Sequence, residues 1–266
     1  MTKGVDFGAR LGSRMAEGRA LFRQYFESVI EAPGPATLRL GAARRARRGT
    51  GHVARTSGPN GYTLASIDNS MTEEGTVLTI PGWNGSGPGH WQSIWEATHV
   101  HFRRVEQRNW QRPSREDWVD SIDRLVREVA PPIFLAAHSL GCVAVAHWAA
   151  DHDAARIAGA LLVAPPWLRD STCPEEITSF LPMPLGQLPF RSILVASESD
   201  PYLPIEGAAR LAQLWGSQFV NAGLQGHINT ASGHGSWPAG EQLLEGLRAS
   251  ITRSPDRHGS MWESRS

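Results

Sequence analysis

Short apolar runs alternate with amphipathic stretches between about Gly75 and Ile251, and the two rhythms differ. Thr76 to Gly82, "TVLTIPG", is β-branched and stops at Pro-Gly, so it reads as a buried strand that ends in a loop. His99 to Glu106, "HVHFRRVE", alternates and reads as a second strand. From Ser114 the period changes. Trp118, Ile122, Leu125, Val126 and Val129 share one helical face, Ser114 suits the N-cap, and Glu116 and Asp117 suit the positive end of the dipole. Strand "PIFLAAH" (132–138), helix "LGCVAVAHWAADH" (140–152) and strand "IAGALLVAP" (157–165) follow. After a Pro-rich interval come strand "RSILVAS" (191–197), helix "PIEGAARLAQLWG" (204–216), strand "SQFVNA" (217–222) and a closing helix "EQLLEGLRASI" (241–251). Strands alternating with helices in this way predict an α/β fold, a mostly parallel sheet with helices on both faces. In such sheets the chemistry sits on loops at the carboxyl ends of the strands.

That placement directs attention to "AHSLG", Ala137 to Gly141, where a predicted strand gives way to a predicted helix around Ser139. It has the form of a nucleophile elbow, G-x-S-x-G, with alanine in place of the first glycine. Small flanking residues are required because the turn brings strand and helix backbones together, and alanine adds one methyl group. The competing reading is a serine that merely caps a buried helix. A nucleophilic serine needs a base and an orienting carboxylate. Asp200, just past a buried strand and followed by proline, suits the acid, with Glu198 as its rival. His227 and His234, in "QGHINTASGHGSWPAG", are the candidate bases, and His227 is preferred because it follows "SQFVNA" closely. Ser, Asp, His is the chain order of α/β-hydrolases. His138 reads as structural.

An oxyanion cradle is expected from the backbone N–H of Leu140, at the start of the helix, and from the loop "PGWNGSGPGHW". There Trp83 is the expected donor and Asn84 the reserve. That loop lacks the Gly-Lys-Ser/Thr ending of a phosphate-binding loop, and its glycines miss the G-x-G-x-x-G spacing. Asn84, His90 and Trp167 are expected to border the substrate. Phe180, Leu181 and Met183 are either further pocket lining or packing for a long loop.

These pieces resemble the small serine hydrolases of the retinoblastoma-binding protein nine/YdeN family, within the α/β-hydrolase superfamily. The resemblance rests on "PGWNGSGPGHWQSIWE" (81–96), "AHSLGC" (137–142), "SESDPYLP" (197–204), and "GHIN" with "SGHGSWPAG" (226–240). It implies Ser139 as nucleophile, Asp200 as acid and His227 as base, on a compact α/β-hydrolase sheet with little or no lid. It implies cleavage of an ester, thioester or amide bond in a small acyl substrate, without metal or organic cofactor. His90 and Trp91 recur in the family and read as shaping the first loop. The family name also records a binding partner, which keeps a second expectation open: a protein-interaction module on a hydrolase scaffold.

Composition narrows the picture further. Formal net charge is zero, so no global field argues for nucleic acid or anionic membrane as partner. No apolar run approaches the roughly 18–20 residues of a membrane span. Cys142 and Cys173 are the only cysteines and form no C-x-x-C pair, which argues against a disulfide framework and a zinc site. A cytoplasmic protein is expected. The charge is uneven, however. Residues 1–70 hold Lys3 and ten arginines against five acidic residues, and "GAARRARRGTGHVARTSGPNGY" (41–62) offers almost nothing to bury. Upstream, Leu11, Met15, Phe22, Phe26 and Val29 would share one face of an amphipathic helix. Three readings stand for residues 1–70: a flexible basic extension, sequence upstream of a true start at Met71, or a transit segment. The hydrolase domain is placed at 75–251 and a flexible tail at 252–266.

Overall fold

Continuous apolar strands demand cover on both faces, and the chain supplies it. The computed structural model describes residues 38–39, 75–169 and 173–252. Six strands from the main block form a parallel sheet: β2 (Thr76–Ile80), β3 (Phe102–Arg104), β4 (Ile133–His138), β5 (Ile157–Val163), β6 (Arg191–Ala196) and β7 (Gln218–Asn221). A two-residue strand β1 (Leu38–Arg39) pairs in parallel with β7 and extends that edge. The order across the sheet is β1-β7-β6-β5-β4-β2-β3. Apart from Leu38–Arg39, the segment 1–70 and the tail beyond residue 252 lie outside the described residues, and with them all the readings made of these segments.

Side chains leave the strands alternately for two cores. In β4, Ile133, Leu135 and Ala137 join one cluster while Phe134 and Ala136 join the other. In β6, Leu194 and Ala196 go one way and Ile193 and Val195 the other. The first core is closed by α2 (Arg115–Glu128), α3 (Leu140–Asp151) and α4 (Ile205–Trp215). The second is closed by α1 (Trp91–Thr98) and α5 (Pro238–Thr252), which bring Trp91, Trp95, Leu244 and Leu247, and by Trp237 just before α5.

Two differences from the sequence reading have physical causes. Helix α1 falls within what reads as loop and strand approach. The strand expected over 99–106 shortens to Phe102–Arg104, because α1 ends only at Thr98 and His99 forms its C-cap. The described residues of the interval 165–190 pack onto the sheet, as a fold with little or no lid requires. Its 3-10 turn, Glu175–Phe180, places Phe180 fully buried against Trp118, with ring centroids 5.6 Å apart, and Met183 is buried in the same core. Phe180 and Met183 therefore pack the long loop and line no open pocket.

The order also locates a crevice. From β2 the chain crosses to β3 on one side, then returns to β4 on the other. The carboxyl ends of β2 and β4 are thus the topological switch point, where open α/β sheets bind ligands.

Candidate active site

Ser139 stands at that switch point, one residue past β4. Its backbone sits at φ 53° and ψ −125°, a conformation unfavourable for a residue with a Cβ. The surrounding packing enforces it. The Ser139 N–H donates to the Val163 carbonyl at 2.9 Å, and α3 starts at once with Leu140. Gly141 makes the turn feasible: a Cβ there would lie 2.3 Å from the Ile80 carbonyl oxygen. Ala137, at the first small position, is fully buried and accommodated.

Asp200 follows β6, and His227 follows β7. Ser139 Oγ lies 2.9 Å from His227 Nε2, and His227 Nδ1 lies 3.1 and 3.0 Å from the two Asp200 carboxylate oxygens. A carboxylate only accepts, so Nδ1 carries the imidazole proton and Nε2 presents its lone pair to the serine hydroxyl. Both Asp200 and His227 are buried. The two loops are joined directly. Ser197 Oγ accepts the Gln225 N–H at 2.9 Å, Ser199 Oγ accepts the Gly226 N–H at 2.8 Å, and the Tyr202 N–H donates to Asp200 at 2.9 Å. A serine hydroxyl, an imidazole and a buried carboxylate in such a relay can generate an alkoxide-like nucleophile and store the displaced proton.

The rivals lie elsewhere. Glu198 is exposed and accepts from the Asn221 amide at 2.9 Å. The His234 ring meets the Gln225 carbonyl at 3.2 Å.

The loop after β2 presses on the serine. A Cβ on Gly82 would come within 2.8 Å of Ser139 Cβ and 3.3 Å of its Oγ, so the Gly82–Trp83 peptide lies directly beside the hydroxyl. The N–H groups of Trp83 and Leu140 have no acceptor among the described residues. Asn84, the reserve donor, is excluded from that role because its N–H is spent on the Trp110 carbonyl at 3.0 Å. The Trp83 indole is anchored by Nε1–H to the Gln111 carbonyl at 2.9 Å. Trp167 is half-buried, and its N–H reaches the Tyr202 carbonyl at 3.5 Å.

His90 sits deeper than a pocket-lining residue. It caps α1, with Nδ1 accepting the Gln92 N–H at 3.3 Å, and its Nε2 is buried without a partner among the described residues. Burial, helped by the positive Arg104 and by His227 and His234, pushes its imidazole down to about 4. His138, its neighbour at 4.7 Å between ring centroids, is held well below the ordinary histidine range, chiefly by burial. Sequence reasoning set His138 aside and passed over Tyr202, whose ring lies 4.5 Å from that of His227. The signal available for each was adjacency, His138 beside Ser139 and Tyr202 two residues past Asp200.

The model of the family described as serine hydrolase matches residues 77–246. Curated proteins contain no match to this chain. Among solved structures, one described as a YdeN-like hydrolase from Pectobacterium atrosepticum is 30% identical, with TM-score 0.61, covering 68% of this chain and 95% of that one. The ydeN gene product of B. subtilis is 22% identical, with TM-score 0.55, covering 66% and 99%, and supports the fold. So does the esterase domain of a Rhodothermus marinus protein, at 19% identity and TM-score 0.50, covering 66% and 87%. Among the described residues no helix is long and apolar enough to cross a membrane. A parallel sheet with its crevice at the switch point, a serine in the turn after β4 and a family match across the whole block lead to one conclusion: the chain belongs to the serine hydrolase family of the α/β-hydrolase superfamily.

Proposed function

We propose that this serine hydrolase cleaves an ester-type bond (ester, thioester or amide) of a small acyl substrate through a covalent acyl-enzyme. The observation that carries the reading is the unbroken hydrogen-bond relay from Asp200 through His227 to Ser139 Oγ. Ser139 Oγ attacks the carbonyl carbon while His227 Nε2 takes the hydroxyl proton. Asp200 holds the imidazolium that results. The N–H groups of Trp83 and Leu140 receive the oxyanion, Leu140 with the added field of the α3 N-terminus. His227 returns its proton to the leaving group. Water, deprotonated by the same base, then releases the acid and regenerates Ser139. No step needs a metal or organic cofactor.

A fluorophosphonate probe tests this directly. The parent should be labelled on Ser139, Ser139→Ala should not be labelled at all, and His227→Ala should be labelled at least about a thousandfold more slowly. Folded parent protein that resists the probe would overturn the reading and leave a binding module on a hydrolase scaffold.

A further inference from the structure

His227 is carried by a backbone segment that is unfavourable by itself. Gly226 and Ile228 flank it at φ +57° and +48°, and the left-handed region strongly disfavours a β-branched residue such as Ile228. Two buried donors grip the carbonyls of this segment. His138 Nε2 meets the His227 carbonyl oxygen at 2.9 Å, and Trp91 Nε1 meets that of Ile228 at 3.0 Å. A carbonyl only accepts, so His138 bears its proton on Nε2. Neither donor takes part in the Asp200–His227–Ser139 relay. They arrive from different elements, His138 as the last residue of β4 and Trp91 as the first of α1. The His138 and His227 rings lie 4.9 Å apart. The titratable groups facing His138 are His227 and His90, and burial keeps His138 neutral, so no like charge opposes an imidazolium on His227.

We infer that His138 and Trp91 are positioning residues for the base: by holding the carbonyls of His227 and Ile228 they set the height and rotation at which the His227 imidazole meets Ser139 Oγ and Asp200. This inference rests on the relay proposed above. Without these donors the segment relaxes toward ordinary backbone angles and the imidazole shifts. The chemical step suffers, and substrate binding does not.

The test is steady-state hydrolysis of p-nitrophenyl acetate by the full chain, comparing the parent with Ser139→Ala, His138→Leu, His138→Gln and Trp91→Phe. Leucine removes the donor at similar size; glutamine keeps an amide N–H within reach of the Nε2 position. His138→Leu should lower kcat about 10- to 100-fold with KM changed less than about twofold, as for a misplaced catalytic group. His138→Gln should recover most of the loss. Trp91→Phe keeps a ring in the core and should lower kcat about 3- to 10-fold at unchanged KM.

A folded His138→Leu variant with parental kcat overturns the inference, as does an equal loss in His138→Gln and His138→Leu. Should His138→Leu fail to fold, Trp91→Phe decides, and parental kcat there is the overturning result. The underlying relay fails in a different way. An inert parent, or an active Ser139→Ala variant, removes relay and inference together, whereas an inert Ser139→Ala beside a parent-like His138→Leu removes the inference alone.

Discussion

At Ser139 the backbone is held in a conformation that costs of order 1–3 kcal/mol, and residues on both sides of the turn keep it there. Gly141 is the most exacting of them, because the Ile80 and Pro81 carbonyls leave no room for a side chain. Gly141→Ala should therefore destabilise the protein by about 3 kcal/mol or prevent folding, a typical cost of overpacking against backbone that cannot yield. Urea unfolding of the variant measures this, and a shift under about 0.5 kcal/mol would show that the elbow yields more easily than its geometry implies. Ser139, Asp200 and His227 were legible one by one, since each follows a strand, and the fold brings these three within hydrogen-bond reach. Gly82, His138 and Tyr202 were not. Their relation to the site depends on which loops meet, and no local pattern records that.

Helix α1 shows why a whole element can escape a sequence reading. It has eight residues, too few to be stable alone, and a histidine occupies its N-cap in place of the usual Ser, Thr, Asp or Asn. Tertiary bonds hold it instead. Trp95 Nε1 donates to the Ser236 carbonyl at 2.8 Å, and the Gln92 amide donates to the Ala136 carbonyl in β4 at 2.8 Å. On its other side, Arg104 of β3 pairs with Glu96 at 2.9 Å and reaches Ser93 Oγ and the Ser86 carbonyl, while Thr79 of β2 donates to Glu96. This cluster ties α1 to the loop that carries Gly82 and Trp83. Arg104→Met should cost about 2–3 kcal/mol, because it leaves the half-buried Glu96 carboxylate without its main partner. The urea midpoint checks it. A parental midpoint would mean that Thr79 and solvent suffice for Glu96. By contrast α2 was readable from Ser114 onward, and its cap forms as expected, with Ser114 Oγ accepting the Asp117 N–H at 3.4 Å.

At the scale of the molecule, burial of neutral histidines makes stability depend on pH. His90, His138 and His147 all have imidazoles pushed below the ordinary value of 6.5, with burial as the largest cause in each. Such groups bind fewer protons folded than unfolded. Their contribution is fully present above about pH 6.5 and is lost as pH falls toward the folded values. For His90, whose folded value is about 4, the loss across that window is on the order of 3 kcal/mol. The urea midpoint should therefore fall steadily from pH 7 to pH 5, and His90→Gln should flatten that dependence. A midpoint constant over this range would contradict the burial of these rings.

The sequence by itself determined the class of fold, since the alternation of buried strands and amphipathic helices is a local property carried by periods of 2 and 3.6 residues. It also narrowed the site to candidates at strand ends, because each follows an apolar run it can be counted from, with Glu198 and His234 left as rivals to Asp200 and His227. Only the tertiary structure decided the order of strands, and with it the switch point where the loops after β2, β4, β6 and β7 converge. It alone decided that Asn84 spends its N–H on Trp110, that His90 lies beneath the surface, and that His138 reaches the carbonyl of His227. The physical reason is the same in each case. Burial, and hydrogen bonds such as that between His138 and His227, 89 residues apart, depend on where the sheet places its loops, and that placement is a property of the packed whole.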